Sequence, residues 1–303
     1  MPFAGFICDI LGTPMTPEEC LACAHAGGGS KGTTLCPFTP PLVRGLIESN
    51  QPRDLIGYSV TELGGCPRKV VLKERVPYWL EPRKAYWAYR GRLIHALLEA
   101  EADQGHALTE QRYYADLEGR LITGQPDLIY PEPGLLVDYK TTRQVPQPRR
   151  IGARHCVCPA CASDIDAYGK RQGSRVACPA CGAAYKIGTD IAIVEPDLTD
   201  PQPYPAHVQQ LNAYAWLLAQ HDLAITRAEV VYLDMSEPLR LVVDLWPLAD
   251  TQAVLAAALA RLLETGADGY PYGVQEDPDA RWECRYCPVR VQCRAAMQQE
   301  ARG

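Results

Sequence analysis

Apolar and polar residues alternate most clearly between residues 120 and 141 of this 303-residue chain. Three short apolar runs there have the length and composition of β-strands: RLITG (120–124), DLIY (127–130) and LLVDYKT (135–141). PEPG, at 131–134, is a plausible four-residue loop between the second and third runs. The pattern therefore predicts a β-hairpin formed by DLIY and LLVD.

Apolar residues at helical spacing predict helices elsewhere in the chain. The helical segments are PLVRGLIES (41–49), CPRKVVLKER (66–75), AYWAYRGRLIHALLEAEAD (85–103), HVQQLNAYAWLLAQ (207–220) and LADTQAVLAAALARLLETG (248–266). Pro67 stands at an early helical position, and Gly266 is a stop signal. IAIVE (191–195) predicts a further strand, and AEVVYLD (228–234) with LRLVVDL (239–245) predicts a second hairpin.

The order of these elements predicts one α/β domain with an inserted module. Residues 144–188 break the pattern with a segment rich in Pro, Arg, Gly and Cys. Residues 1–50 form a Gly/Pro/Cys-rich leader. We therefore expect a leader over 1–50, a main domain over 51–303, and an insertion over 150–188 within that domain.

The predicted hairpin gathers charged residues at one end. Its register places Leu128 opposite Val137 and Asp127 opposite Asp138, so two like charges face each other. Lys140 lies two residues beyond Asp138 and shares its face of the strand. A divalent cation such as Mg²⁺ or Mn²⁺ would turn the repulsion of the carboxylates into ligation, and a lysine beside it can orient an attacking water. A solvated strand end without interacting charges is the alternative.

Two of the predicted helices carry polar residues that could complete such a site. His95, four residues after Gly91, could supply a nitrogen ligand, although a histidine on a helix is more often a packed or surface residue. Gln210 and Tyr214 are four residues apart and share one helical face. An ordinary amphipathic face is the alternative interpretation of that pair.

Net charge gives no general support for nucleic-acid binding, because the chain carries a charge of −6 at pH 7 and has a pI near 5.6. Residues 143–175 are locally basic: seven positive side chains less the two acids Asp164 and Asp166 leave +5. The seven are Arg143, Arg149, Arg150, Arg154, Lys170, Arg171 and Arg175. Arg143, Arg149 and Arg150 are candidate DNA contacts, and a solvated basic loop explains the charge equally well.

A cytoplasmic location is expected. The sequence lacks an apolar run of about 18 residues, so we expect no transmembrane helix. The first residues, MPFAGFICDILGTPM, lack a basic segment and are interrupted by Asp9, which makes a poor signal peptide. An odd number of cysteines, 13, in such a chain argues against a disulfide framework, and their C-x2-C pairs indicate metal sites.

The insertion carries two CPAC motifs separated by 16 residues. Cys158, Cys161, Cys178 and Cys181 therefore have the spacing of a zinc ribbon, in which each turn presents two thiolates to one tetrahedral zinc ion. Cys156 is left over and is interpreted as a bystander thiol. DNA contact and protein contact are comparable expectations for the ribbon.

The leader contains a third group of cysteines. Cys8, Cys20, Cys23 and Cys36 include one C-x2-C pair and could bind a second zinc ion, with His25 as a competing ligand. Reduced thiols in a loosely ordered leader are the alternative.

Four residue groups, taken in chain order, resemble the RecB-type branch of the PD-(D/E)xK nuclease superfamily. That branch has G-x-x-x-H on a helix, then G-x-x-D, then (D/E)-x-K, then Q-x-x-x-Y. The matching residues are Gly91 and His95, Gly124 and Asp127, Asp138-Tyr139-Lys140, and Gln210 and Tyr214. The resemblance implies a restriction-endonuclease-like core, with a mixed β-sheet flanked by helices.

The same resemblance implies roles for these residues. His95, Asp127, Asp138 and the carbonyl of Tyr139 would bind Mn²⁺ or Mg²⁺. Lys140 would be the catalytic lysine beside the two catalytic aspartates. Gln210 and Tyr214 would support the site and the DNA backbone.

A subset of RecB-type nucleases closes the domain with an iron–sulfur cluster. It is held by one early cysteine and a C-terminal C-x2-C-x5-C. Cys66, Cys284, Cys287 and Cys293 match that order and spacing. The resemblance therefore implies a [4Fe–4S] cluster, with zinc as the alternative metal.

Residues 58–294 are similar to the CRISPR-associated member of this branch, from which the leader and the ribbon depart. The resemblance implies metal-dependent exonuclease cleavage of single-stranded DNA ends, trimming of prespacer DNA, and the CRISPR integrase complex as a partner. One alternative is a phage or repair nuclease of the same branch. Another, from a different class, is a catalytically silent metal-stapled DNA-binding or scaffold protein.

Overall fold

Two units make up the computed structural model, which describes residues 3–31, 34–51, 56–102, 106–266, 269–273 and 281–294. The larger unit comprises Met1–Gln144 and Tyr204–Gly303, and the smaller one comprises Val145–Pro203. The smaller unit extends beyond the expected insertion at both ends. The expected leader belongs to the larger unit, so residue 50 does not divide two units.

The larger unit is a mixed α/β structure. Its strands are β1 (Phe3–Ile7), β2 (Pro14–Met15), β3 (Ser30–Lys31), β4 (Thr34–Leu35), β5 (Tyr58–Ser59), β6 (Tyr78–Leu80), β7 (Leu108–Thr109), β8 (Tyr113–Leu117), β9 (Arg120–Gly124), β10 (Leu128–Tyr130), β11 (Leu135–Thr141), β19 (Arg227–Leu233) and β20 (Pro238–Val243). Its helices are α1 (Pro17–His25), α2 (Pro40–Ser49), α3 (Val60–Leu63), α4 (Pro67–Arg75), α5 (Pro82–Ala100), α6 (Pro205–Ala219) and α7 (Leu248–Leu263). A 3-10 turn covers Arg281–Arg285.

A five-stranded sheet in the order β20-β19-β11-β10-β7 carries the predicted hairpin. The predicted register is confirmed, because Leu128 pairs with Val137, Ile129 with Leu136 and Tyr130 with Leu135. β11 pairs in parallel with β19, and β19 pairs antiparallel with β20, as the second predicted hairpin requires. Parallel neighbours need a crossover connection, and α6 lies on the chain between β11 and β19.

The second half of helix α6 is buried on every side. Its residues from Leu211 to Leu218 are all buried, which is the pattern of a core helix rather than of a surface helix. The buried side chain of Asn212 donates to the carbonyls of Val208 and Asp244 and accepts from the amide of Trp246. A polar residue in this core is therefore fully paired and fixes the chain after β20 on the helix.

The leader packs as an ordered part of the larger unit, contrary to the loosely ordered alternative. β1 pairs in parallel with β6 and antiparallel with β2. Phe6, Phe38, Val43, Leu46 and Ala85 form one buried cluster that joins the leader to α5. Burial of these side chains against α5 supplies the apolar contacts that a Gly-rich segment lacks by itself.

The smaller unit is built from short strands around its own core. Its strands are β12 (Arg150–Ile151), β13 (His155–Val157), β14 (Asp164–Asp166), β15 (Arg175–Ala177), β16 (Ala184–Lys186), β17 (Ile193–Val194) and β18 (Asp197–Leu198). IAIVE was expected to return to the main domain, but β17 pairs with β13 inside this unit. The sequence pattern of a two-residue strand does not specify the sheet with which it pairs.

No helix in the described ranges is long and apolar enough to cross a membrane.

Candidate active site and metal centres

The end of the β10–β11 hairpin brings the two aspartates together. Asp127 directly precedes β10, and its Oδ2 accepts a hydrogen bond of 2.7 Å from the amide of Tyr139. Asp138 lies within β11 and is 1% exposed. Its Oδ2 lies 2.6 Å from Nζ of Lys140. Apart from this ion pair, neither oxygen of Asp138 has a hydrogen-bond partner among the described residues.

Burial dominates the electrostatics of Asp138. Loss of water raises its pKa to about 6, against the lowering effect of Lys140, and the nearby charge of Asp127 adds to the rise. A buried carboxylate whose single ion pair leaves its other oxygen atom without a partner is costly for the fold. Such a group fits a cation ligand better than it fits a structural role.

His95 reaches the hairpin from α5, which packs on β11. Its Nε2 lies 3.0 Å from the carbonyl oxygen of Tyr139, and its Nδ1 lies 3.2 Å from Oδ1 of Asp127. Gly91 permits this approach, because a Cβ there would lie 3.2 Å from Oγ1 of Thr141. The G-x-x-x-H spacing thus places Gly91 of α5 next to Thr141 of β11, and His95 one helical turn further on.

Glu110 is a member of this site that the sequence reasoning missed. Its Oε1 lies 3.6 Å from Nδ1 of His95, and its Oε2 accepts a hydrogen bond of 2.7 Å from Gln125. Ligand atoms of His95, Glu110 and Asp127 all lie within 4.8 Å of one another. The register of β7 with β10 accounts for the position of Glu110: Thr109 pairs with Leu128, so Glu110 lies opposite Asp127. A strand of two residues shows no alternation from which that register could be read.

The carboxylates of Asp127 and Glu110 favour the charged form of His95. Hydrogen bonds to Asp127 and then Glu110 raise the pKa of His95 to about 10, although burial opposes them. The imidazolium therefore supplies the positive charge that these oxygen atoms require. A divalent cation would compete with the proton for the same ligand atoms, because metal ligation needs the neutral ring.

Gln210 and Tyr214 lie beside this centre on α6. Nε2 of Gln210 donates to the hydroxyl of Tyr214 at 2.9 Å. Burial and the nearby carboxylate of Asp138 raise the pKa of Tyr214 far above its usual value, so it stays protonated and able to donate. A cavity of 770 Å³ opens beside His95, Glu110 and Tyr214. Its lining includes Thr61, Glu62, Arg92, His95, Glu110 and Tyr214.

Gly124 is required by the packing of β9 against α6. A Cβ at this position would lie 2.8 Å from Cδ2 of Leu217 and 2.9 Å from Cε1 of Tyr214, both in the core. We expect Gly124→Ala to lower the free energy of unfolding by about 1–3 kcal/mol, because the core must move to admit the methyl group. Urea denaturation measures this loss. Gly65→Ala is the matched control, since its Cβ would make ordinary contacts from 3.6 Å, and an equal loss in both variants would contradict the packing argument.

The cysteines of the smaller unit form a compact four-thiol site. Sγ of Cys158 lies 3.7 Å from that of Cys181, and Sγ of Cys161 lies 3.5 Å from that of Cys178. A tetrahedron of Zn–S bonds of about 2.3 Å separates its sulfur atoms by about 3.8 Å, so the observed spacing fits one zinc ion. The hydroxyl of Tyr185, 3.4 Å from Cys158, lowers the pKa of that thiol to about 6. Cys156 is not a member of this four-thiol group, and its side chain is buried in the core of the unit.

The C-terminal cysteines approach Cys66 in a looser arrangement. Burial raises the pKa of Cys287 and of Cys293, and neighbouring cysteines add to the rise. Those neighbours are Cys66 and Cys293 for Cys287, and Cys66 and Cys284 for Cys293. Cys66 is buried before α4, while Cys287 and Cys293 pack on a cluster that contains Leu72, Tyr78 and Val289. In the described part of the chain these four do not form a group as compact as the ribbon cysteines.

The remaining predicted residues lie as follows. Cys8, Cys20, Cys23 and Cys36 are half-buried in the leader. Arg143 is exposed in the larger unit, directly beyond β11. Arg149 and Arg150 are exposed in the smaller unit.

Comparison with known proteins supports a nuclease. Residues 194–294 match the family model of the PD-(D/E)XK nuclease superfamily. The matched third of the chain includes Gln210, Tyr214 and the C-terminal cysteines, whereas the hairpin acids and His95 lie before it. The crystal structure of SSO0001 is similar at 18% identity and a TM-score of 0.47, over 82% of this chain and 92% of that chain. No curated protein matches the chain significantly.

Proposed function

We propose that this protein is a divalent-metal-dependent deoxyribonuclease that hydrolyses phosphodiester bonds at the ends of single-stranded DNA. The observation that carries the proposal is the convergence of His95, Asp127, Asp138 and Lys140 at one end of the β10–β11 hairpin. The match to a nuclease superfamily supports the same reaction class.

Side-chain oxygen and nitrogen atoms of this centre would hold Mg²⁺ or Mn²⁺. His95, Asp127, Asp138 and the carbonyl of Tyr139 are the proposed ligands, and Glu110 joins them because it shares the compact group with His95 and Asp127. The mixture of carboxylate, carbonyl and one imidazole suits these hard cations. When bound, the cation would polarise a phosphate oxygen and lower the pKa of a water molecule.

Lys140 is the proposed catalytic residue of this chain. The Lys140 side chain is 21% exposed, and its ion pair with Asp138 fixes its position. From there it donates a hydrogen bond that orients the attacking water and stabilises negative charge on the phosphate. Gln210 and Tyr214 hold each other in place and offer donors to the DNA backbone.

A cationic aromatic stack beside the site supports a single-stranded substrate. The guanidinium groups of Arg90 and Arg143 lie 4.4 and 4.5 Å from the ring centroid of Trp87, within the range of cation–π contacts. Arg90 also donates to the carbonyl of Thr142 at 3.2 Å, which ties the stack to the end of β11. Arg143 follows Lys140 by three residues, about 10 Å of extended chain. Aromatic and arginine side chains along a strand path are typical of single-stranded DNA sites.

Nucleotide release from labelled DNA tests the proposed function. We expect Mn²⁺-dependent shortening of linear single-stranded DNA, little cleavage of the same sequence as a closed circle, and none in the presence of a chelator. Labels at either end would give the polarity. Absence of cleavage on every DNA substrate with Mn²⁺ or Mg²⁺ would favour the silent scaffold instead.

Arg143 is expected to contribute to DNA affinity without regard to sequence. Replacing it with alanine removes one phosphate contact, which should weaken binding severalfold and reduce the slope of log K against log salt by about 0.7 for a single strand. Fluorescence anisotropy at several salt concentrations measures both quantities. Arg261→Ala, at an exposed arginine of α7, is the matched control. An unchanged slope in Arg143→Ala would remove this residue from the DNA path.

The remaining metal sites and the biological context are part of the proposal. Cys158, Cys161, Cys178 and Cys181 are proposed to bind zinc, and Cys66, Cys284, Cys287 and Cys293 a [4Fe–4S] cluster. The looser C-terminal group fits the cluster, because the sulfur ligands of a polynuclear centre lie further apart than those of one ion. Trimming of prespacer DNA with the CRISPR integrase complex is proposed from the resemblance of residues 58–294 to the CRISPR-associated nucleases. Copurification with that integrase would test the partner, and iron and zinc analysis would test the metals.

A further inference from the structure

The turn that follows β1 has the same backbone hydrogen bonds as the two ribbon knuckles. In the ribbon, the amides of Cys158 and Cys178 donate to the carbonyls five residues later, and their carbonyls accept from the amides of Ala162 and Gly182. In the leader, the amide of Cys8 donates to the carbonyl of Thr13 at 2.9 Å, and its carbonyl accepts from Gly12 at 2.8 Å.

Backbone conformation makes the match closer. The fourth residue after each first cysteine has a positive φ: 57° at Ala162, 75° at Gly182 and 72° at Gly12. In addition, the amide of Leu11 lies 3.4 Å from Sγ of Cys8 and donates to it. The turn from Cys8 to Gly12 therefore has the backbone of a ribbon knuckle, with Leu11 where a ribbon knuckle has its second cysteine.

Other leader cysteines come to this knuckle from α1 and from the β3–β4 hairpin. Cys20 and Cys36 both pack on the buried cluster that contains Phe6. Cys36 is adjacent to the end of α1, because a Cβ on Gly28 would lie 3.2 Å from its Cβ, and the amide of Gly28 donates to the carbonyl of Cys23. The knuckle touches the same segment, since a Cβ on Gly29 would lie 3.6 Å from Cγ2 of Ile10.

We propose that Cys8, Cys20, Cys23 and Cys36 bind one structural zinc ion. Four sulfur donors favour zinc over hard cations such as Mg²⁺. His25 is exposed at the end of α1, so the four half-buried cysteines are the better ligand set. Among the described residues their sulfur atoms do not yet form a group as compact as the ribbon's. A bound ion would draw them together through rotation about the Cα–Cβ bonds, which moves a sulfur atom between staggered positions.

Such an ion would tie the turn after β1, helix α1 and the β3–β4 hairpin into one unit. α1 has no fully buried residue of its own, although Cys20, Leu21 and Ala24 pack on the Phe6 cluster. Metal ligation can supply folding free energy directly in small elements of this kind. The ion would tie these leader elements to one another, while the Phe6 cluster holds the leader on α5.

Zinc analysis of the full-length protein tests the proposal. Mass spectrometry should show that Cys20→Ser/Cys23→Ser and, separately, Cys36→Ser each lose one zinc ion per chain relative to wild type, since each four-thiolate site holds one ion. Cys161→Ser/Cys181→Ser should lose one ion from the ribbon, and His25→Asn should lose none. Unchanged zinc in both leader variants would overturn the proposal, and loss of zinc in His25→Asn would replace one cysteine of the ligand set.

Leu11→Cys provides a test in which no ligand is removed. It restores C-x2-C to the knuckle, so zinc release to a chelator should slow in one kinetic phase, while the phase assigned by the ribbon variant stays constant. Release rates identical to wild type in every phase would count against a zinc ion at the knuckle. These measurements do not depend on DNA cleavage, so they stand or fall separately from the proposed nuclease.

Discussion

Lys140→Ala is expected to lower the rate of Mn²⁺-dependent DNA cleavage by about 10²–10³-fold, the usual cost of removing a preorganised donor at a site of developing charge. Lys140 is positioned for this role by β11, which puts its ammonium 2.6 Å from Asp138, and its side chain remains partly exposed. The variant retains His95, Asp127, Asp138 and the Tyr139 carbonyl. Metal affinity and DNA affinity should therefore change far less than the rate.

The separation of rate from binding distinguishes a catalytic lysine from a structural one. Single-turnover cleavage with saturating enzyme measures the chemical step, while calorimetry with Mn²⁺ and anisotropy with DNA measure the two affinities. Lys84→Ala is the matched control, because Lys84 is a lysine of α5 that pairs with Glu81 in the solvent. Undiminished cleavage by Lys140→Ala would exclude the proposed mechanism.

The hairpin and its charged end could be predicted because a strand has a simple period. Side chains alternate with a period of two, and PEPG fixed the number of loop residues, so Asp127, Asp138 and Lys140 followed from counting. The glycines had a physical signal as well: a Cβ at Gly124 would clash with Leu217 and Tyr214 of α6, and one at Gly91 would lie 3.2 Å from Oγ1 of Thr141.

Other parts depend on contacts that the sequence pattern does not encode. Glu110 reaches the site from a two-residue edge strand, and the Trp87 stack needs the end of β11 to lie beside α5. A loosely ordered leader was the alternative to a second zinc site, given its Gly- and Pro-rich sequence, yet apolar residues such as Phe6 and Phe38 pack the leader on α5. Tertiary packing decided each of these cases.

Asp138 shows how the proposed site and the stability of the fold oppose each other. A buried carboxylate in the middle of a central strand, with Oδ1 unpaired and only Lys140 beside Oδ2, lowers the stability of the metal-free protein. An asparagine of nearly the same shape would not carry that charge. Retention of the acid is explained if a cation uses it.

We expect Asp138→Asn to stabilise the metal-free protein and to abolish its response to Mn²⁺. At pH 7.5 the raised pKa of Asp138 means that folding opposes its ionised form, at a cost of about 1–3 kcal/mol. Since the folded-state pKa of about 6 lies above the unfolded value of 3.8, this cost shrinks as the pH falls from 6 towards 4. The advantage of the variant should shrink over the same interval.

The melting temperature with and without Mn²⁺ measures both effects of this substitution. Wild type should gain stability as the ion binds the folded state, whereas Asp138→Asn should start higher, gain little, and cleave no DNA. Lys140 keeps access to water, so loss of its partner costs less than the buried charge did. Asp222→Asn is the matched control, because Asp222 is exposed in a left-handed turn that asparagine tolerates equally well. If Asp138→Asn instead melts lower at pH 7.5 without metal, the ion pair with Lys140 stabilises the fold, and the burial of Asp138 no longer indicates a cation.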